Sequence, residues 1–261
     1  MNIFGLGRNK KSGIAFGGGG TRGVAHIGAV RVFQENNIDF DFVSGNSVGS
    51  MVGAMYASGV PWQELYDFVL KNRIRQVLPK HNWLSYWSAE VIENMADHYL
   101  DGKSFHELEK PFCAIAVDLE KGSLERLCSG NVAKALSASC AVPGVFQPVR
   151  IGDKMYVDGG TLRSIPTQTV REMGADNVIG INLNADRGNG TDSMRRRDVW
   201  MAAYRLAINV NSELCKKHAD IMLEPELGEF ARYSLRNAKK MLEIGERVVE
   251  DHLEAIVKLT K

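Results

Sequence analysis

Gly45, Ser47 and Gly49 form a Gly-x-Ser-x-Gly pattern inside Phe42-Val-Ser-Gly-Asn-Ser-Val-Gly-Ser50. What flanks it constrains the chain most. An apolar run with alternation, Ile38 to Val43, leads in, a small-residue segment, Ser50 to Ser58, leads out, and Gly59-Val60-Pro61 stops it. The order is strand, tight turn, helix. In such an elbow the serine hydroxyl stands exposed at a strained bend, and the glycines let neighbouring backbone pass close. Ser47 then sits at a helix N-terminus, where free N–H groups and the dipole favour developing negative charge. A lone pentapeptide of this kind also fits an ordinary Ser/Gly turn, so its meaning depends on the rest of the chain.

The rest reads as an α/β chain. Residues 1–11 form a polar lead-in, with charges but no apolar core of a secretory signal. Ser12 to Phe16 is a strand running into Gly17-Gly-Gly-Gly-Thr-Arg-Gly23, and Val24 to Glu35 has helical apolar spacing. A helix follows from Trp62 to Lys71, another runs from a Ser88 cap to Leu100, and Ser104-x-x-Glu107 reads as a capping box. Strands are expected at 112–117, 154–157, 178–183 and 221–223. Helices are expected at 131–140, 166–173, 199–218 and, at the terminus, 241–259. Strands alternating with helices imply a central sheet flanked by helices. With no repeat or composition break, residues 12–261 are expected to form one domain.

Composition excludes several classes. Net charge is +1, which leaves no electrostatic footprint for nucleic acid. No apolar run approaches the roughly 20 residues of a membrane span. Cys113, Cys128, Cys140 and Cys215 lack metal-ligand spacing; with no export signal they are expected as reduced thiols of a cytoplasmic protein, with no metal site. Arg195-Arg196-Arg197 reads as a solvated loop that an anionic surface could also use. Trp83, Leu84, Tyr86 and Trp87 fit an acyl pocket, a lipid contact or ordinary core.

Two polar features bear on chemistry. Gly18-x-Gly20-x-x-Gly23 matches a dinucleotide loop, with Asp39 and Asp41 near the distance of a ribose contact. Those aspartates, however, fall at the start of the second apolar run rather than its end. The same glycines could instead offer backbone N–H groups to an oxyanion beside Ser47, a contribution typically worth roughly 3–4 kcal/mol per donor. None of the six histidines (His26, His81, His98, His106, His218, His252) has a Gly-rich strand-end setting. Asp158 does, before Gly159-Gly160. It could take the serine proton if apolar surroundings raise its pKa, although Asp-Gly is also a common turn pair.

Gly18-Gly-Gly-Thr-Arg-Gly23, Gly45-Asn-Ser-Val-Gly49, Ala138-Ser-Cys-Ala-Val-Pro-Gly-Val-Phe-Gln-Pro148 and Asp158-Gly-Gly160 together resemble the four ordered blocks of the patatin-like phospholipase family, its bacterial cytosolic branch above all. The resemblance spans roughly residues 12 to 183. It implies a three-layer α/β/α domain with a mostly parallel sheet. It also implies Ser47 as nucleophile, Asp158 as the second member of a Ser-Asp dyad, and an oxyanion hole at Gly18, Gly19, Gly20 and Arg22. No cofactor is implied. The implied substrates are phospholipids, lysophospholipids or other acyl esters, with peripheral membrane contact in prospect. Asn46 stands where the family often has threonine, a change expected to matter little. Two other functions stay open: a nucleotide-binding protein using the glycine loop, and a regulatory protein with a vestigial hydrolase site.

Overall fold

In a computed structural model of the chain, residues 10–71, 87–185, 196–230 and 234–261 are described. The apolar strands β1 (Ser12–Phe16), β2 (Phe42–Gly45), β3 (Phe112–Asp118), β7 (Asn177–Ile181) and β8 (Ile221–Leu223) run parallel in the order β3-β2-β1-β7-β8. Every residue of β1 and β3 is buried, as expected for strands covered on both faces. Three antiparallel strands complete the eight-stranded sheet: β4 (Ser123–Leu127), β5 (Val149–Ile151) and β6 (Lys154–Asp158).

Helices connect and flank these strands. They are α1 (Val24–Glu35), α2 (Val48–Ala57), α3 (Trp62–Lys71), α4 (Glu90–Leu100), α5 (Val132–Ser139), α6 (Thr167–Met173), α7 (Arg196–Lys216), α8 (Ala238–Glu250) and α9 (Leu253–Thr260). Several of their ends are written in local chemistry. Asn131 accepts the Lys134 amide at 2.8 Å to open α5, and Gly174, left-handed at φ 114, closes α6. Among the described residues no helix is long and apolar enough to cross a membrane.

The register of β3 decides where the chain's polar ends meet. Ala114 pairs with Gly45 of β2 and with Leu127 of β4, so β2 and β4 lie on opposite edges of β3. Ala116 pairs with Glu125 of β4 and with Asp158 of β6, so β6 also lies opposite β4. Hence β2 and β6 share one edge of β3. They run towards each other along it, since β2 is parallel to β3 and β6 antiparallel. Their last residues, Gly45 and Asp158, sit two β3 positions apart. Phe16 of β1 is level with Gly45, so the glycine-rich loop emerges at the same end.

The structure corrects the sequence reading at four places. The second strand is Phe42–Gly45, not 38–43. Asn37 turns left-handed (φ 52) and the Ile38 amide bonds back to the Phe33 carbonyl, so Ile38 and Phe40 are plugs closing the end of α1. Strands β4 and β5 had no periodic signal long enough to be read. The terminal helix is two helices separated at Asp251–His252. The expectation of four reduced cysteines is overturned: Cys113 and Cys128 form a disulfide, leaving Cys140 and Cys215 free and buried. The hairpin β3–β4 explains it, because Ala114 faces Leu127 and the next pair outward is Cys113 facing Cys128. Disulfides persist chiefly outside the reducing cytosol, which removes the cysteine argument for a cytoplasmic location. Trp83, Leu84 and Tyr86 lie outside the described residues; Trp87 packs on Phe146, ring centroids 6.0 Å apart.

Thiol titration of denatured protein checks the pairing. Without reductant two cysteines should react, and after reduction all four. Four reactive thiols in unreduced protein would refute the bridge.

Candidate active site

Ser47 is the last residue before α2 and adopts φ 52, ψ −129, a backbone conformation that non-glycine residues seldom take. Close packing holds it there. A Cβ on Gly45 would lie 2.3 Å from the Gly49 carbonyl oxygen, and one on Gly49 would lie 2.2 Å from that of Phe16. Both positions are thus closed to any larger residue. The Ser47 amide donates to Ser139 Oγ at 3.0 Å, and its carbonyl accepts from Ser50 Oγ at 2.6 Å. The side chain is left to face the pocket.

Asp158 ends β6 and is 2% exposed. Its Oδ1 accepts the Gly160 amide at 2.7 Å, and the side chains of Ser47, Asn46 and Tyr204 lie close enough to its carboxylate to pull its pKa down. Burial pushes its pKa up to about 6, against the opposing pull of those donors. Asp158 is therefore ionised at neutral pH yet close enough to neutrality to accept a proton.

The glycine-rich loop meets this pair from β1. Gly18 is in contact with the nucleophile: a Cβ there would be 3.3 Å from that of Ser47. Its amide, however, donates to the Ser164 carbonyl at 3.0 Å, so Gly18 lines the pocket without a free N–H. Gly19 and Gly20 stand at the start of a 3-10 turn, Gly20–Gly23, where amides have no intrahelical acceptor. Asn184 Nδ2 fixes the loop by donating to the Gly18 carbonyl at 2.7 Å. Arg22 is buried and points away from the pocket's reacting groups. It donates to the carbonyls of Leu183, Gly228 and Phe230 at 3.1–3.2 Å, tying the loop to the C-terminal part of the chain. Of the four residues expected at the oxyanion hole, Arg22 is thus a brace and Gly18 a wall.

The dinucleotide reading finds no support in the geometry. Asp41 accepts the Ser12 amide at 2.8 Å, at the start of β1, and Asp39 pairs with Lys110; both lie at the strand ends opposite the glycine loop. No histidine lines the pocket among the described residues. His26 is fully buried, donates from Nε2 to the Gly17 carbonyl at 2.7 Å, and burial lowers its pKa to about 4. It is a neutral support for the loop. His218 lies at the far end of α7, where its carbonyl accepts from Arg171. Cys140 lies beside Ser47 and Ser50, but burial raises its pKa so far that it stays a thiol.

Sequence reading passed over four contributors. Asn46, given little weight as a threonine replacement, is 1% exposed, bonds Asp158 and reaches the Ser164 carbonyl at 3.4 Å. A buried amide next to a nucleophile was its signal. Ser139 lay inside a recognised block without a role. Asn184 and Tyr204 had no local signal, because only the fold brings β7's end and α7 to the pocket. α7 is held there by polar bonds: Asn211 Nδ2 donates to the Gly160 carbonyl and Ser212 bonds Ser164.

Comparison with known proteins matches residues 14–171 to the patatin-like phospholipase family. An uncharacterized NTE family protein of Mycobacterium bovis is 29% identical over 176 residues, covering 66% of this chain and 48% of that protein. A lysophospholipase of Debaryomyces hansenii is 25% identical over 193 residues, 68% of this chain and 12% of that protein. The chain thus spans about half, or far less, of the length of the relatives it matches. Among solved structures, VipD from Legionella pneumophila superposes with a TM-score of 0.66 over 95% of this chain and 67% of that one, at 14% identity. Human GIVD cytosolic phospholipase A2 gives 0.55 over 96% and 60%, at 10% identity. These likenesses cover more of the chain than the family match does. With the ordered blocks, the sheet and more than half the chain in agreement, the protein is a member of the patatin-like phospholipase family.

Proposed function

We propose that the chain is a serine acyl hydrolase acting on ester bonds of phospholipids or lysophospholipids through a Ser47–Asp158 dyad. One observation carries the reading: a strained serine at a helix N-terminus is hydrogen-bonded to a buried carboxylate whose pKa is raised to about 6. Ser47 Oγ attacks the ester carbonyl as Asp158 takes its proton. The carbonyl oxygen becomes an oxyanion facing the amides of Gly19 and Gly20. Asp158 then returns the proton to the leaving alcohol, and an acyl-serine remains. Water, deprotonated by Asp158, attacks that ester; Ser47 recovers its proton and the fatty acid departs. The lysophospholipase name of a relative supports the substrate class.

Ser47→Ala should lower turnover of a short-chain aryl ester by at least about a thousandfold with the fold intact. Asp158→Asn should approach the same background, while substitution of any of the six histidines should not. A histidine variant as inactive as Ser47→Ala would replace the dyad by a triad.

The acid limb of kcat/KM should have its midpoint near pH 6, activity rising as Asp158 ionises. Tyr204→Phe removes a donor that lowers this pKa, so the limb should move to higher pH. An unmoved limb would show that Tyr204 does not act on the base.

The same carboxylate makes a stability prediction. Its folded pKa is raised, so its favourable contribution is complete below the unfolded value of ~4 and is lost as pH rises through about 6. Above that, the ionised group costs the fold up to about 3 kcal/mol. Asp158→Asn should therefore match the parent's stability near pH 4 and exceed it at pH 8, by denaturant melts at both. Equal stability at both pH values would contradict the burial argument.

A further inference from the structure

α7 has two faces of opposite character. Towards the protein, Tyr204 and Ile208 line the Ser47 pocket, and Asn211 and Ser212, 6% and 2% exposed, hold the turn after Asp158. Towards solvent, Val199, Leu206, Val210 and Leu214 are 52%, 67%, 68% and 44% exposed. Ala203 and Ala207, exposed as well, fall between them. The spacing of these six residues places them on one side of a helix, a stripe about 22 Å long with no charged member. Leu162, next to the turn that α7 holds, is also 36% exposed. The stripe is rimmed by polar residues and continuous along one helix face, which makes it a candidate interaction surface.

We propose that this outer face of α7 docks on a lipid surface, with the helix lying in the headgroup–acyl boundary above Ser47. The inference rests on the acyl-lipid reading of the site. Three observations choose lipid as the occupant. First, the helix that carries the stripe is itself a wall of the pocket, so the surface that would hold the substrate is one helix diameter from the nucleophile. Second, the stripe is about 22 Å by roughly 10 Å, ~200 Å², far below the roughly 800 Å² per partner of a stable protein interface. A bilayer sets no such minimum, since a single amphipathic helix suffices. Third, in sequence the helix opens on Arg196, Arg197 and Asp198, a net basic end suited to anionic headgroups. The cavity at Ser47 holds about 70 Å³, room for an acetyl-sized group but not a fatty acyl chain. A long chain must therefore extend beyond the cavity, which α7 borders.

Binding and catalysis are separated by working in the Ser47→Ala background, where lipid is not turned over. That protein should co-sediment with vesicles of phosphatidylcholine and phosphatidylglycerol, and less with phosphatidylcholine alone. Leu206→Glu with Val210→Glu should weaken partition by at least about tenfold. With Ser47 present, the same double variant should keep short-chain aryl ester turnover within about twofold while losing about tenfold on dispersed long-chain phospholipid. Leu206→Trp keeps the stripe apolar and should gain a blue-shifted emission on vesicles. The proposal is overturned if the parent ignores both vesicle types, if the double variant partitions equally, or if Leu206→Trp shows no added shift. It is also overturned if sedimentation velocity shows a dimer that the glutamates dissociate, because a second copy then covers the stripe. Retained ester hydrolysis in Ser47→Ala would instead refute Ser47 as the nucleophile and leave the vesicle result standing by itself.

Discussion

Two strands sharing one edge of a third is the constraint on which this site depends. β2 and β6 approach each other along β3, and the sheet ladder fixes the spacing of their ends at Ala114 and Ala116. Neither Ser47 nor Asp158 is placed by a flexible loop; each is at most two residues from a hydrogen-bonded strand position. The dyad proposed here has fewer parts than a triad, so it has fewer groups to correct an error in the distance between them. Rigid backbone at both members supplies that accuracy. β4, which the sequence concealed, contributes by occupying the other edge of β3, so β6 has no alternative position against it.

The arrangement has a cost concentrated in two residues. Ser47 holds a positive φ, of order 1–3 kcal/mol, and Asp158 keeps a carboxylate out of water. Each is stabilised from several directions. The missing side chains of Gly45 and Gly49 let α2 and β1 close on the elbow, and Ser139 takes the orphaned Ser47 amide. Around Asp158, the Gly160 amide and the side chains of Ser47, Asn46 and Tyr204 all lower the pKa, and burial still prevails. The balance leaves a carboxylate whose pKa burial raises to about 6. One more donor would weaken the base; one fewer would leave more of it protonated at neutral pH.

How much of this could be read in advance follows from how local each cause is. The elbow, the glycine loop and the helix ends at Asn131 and Gly174 were legible because turn geometry requires particular residues at adjacent positions. Asp158 was legible as a strand-end aspartate, but its role emerged only with the block pattern. The disulfide was not legible, because the cue was cross-strand pairing in a hairpin whose second strand, Ser123–Leu127, is mostly half-buried and lacks alternation. Arg22 was legible as a residue of the loop, but not what it would hold the loop to. Its partners are carbonyls more than 160 residues away, which no spacing rule reaches. Asn46 was given little weight as a departure from threonine, whereas its amide lies against a buried carboxylate and lowers its pKa.

The family match ends at residue 171, yet the pocket does not. Tyr204 and Ile208 come from α7, and Arg22 is held by carbonyls at 228 and 230. Ser47, Asp158 and the glycine loop therefore come from the part of the chain that the family match spans, and the C-terminal third closes the pocket. A segment that walls the pocket, donates to the base and shows water an apolar stripe is subject to three demands at once. Tyr204 must keep its hydroxyl within reach of Asp158, which restricts how far α7 can shift while the base remains tuned. The carboxylate proposed as the base is therefore tuned in part from a helix that the shared blocks do not include.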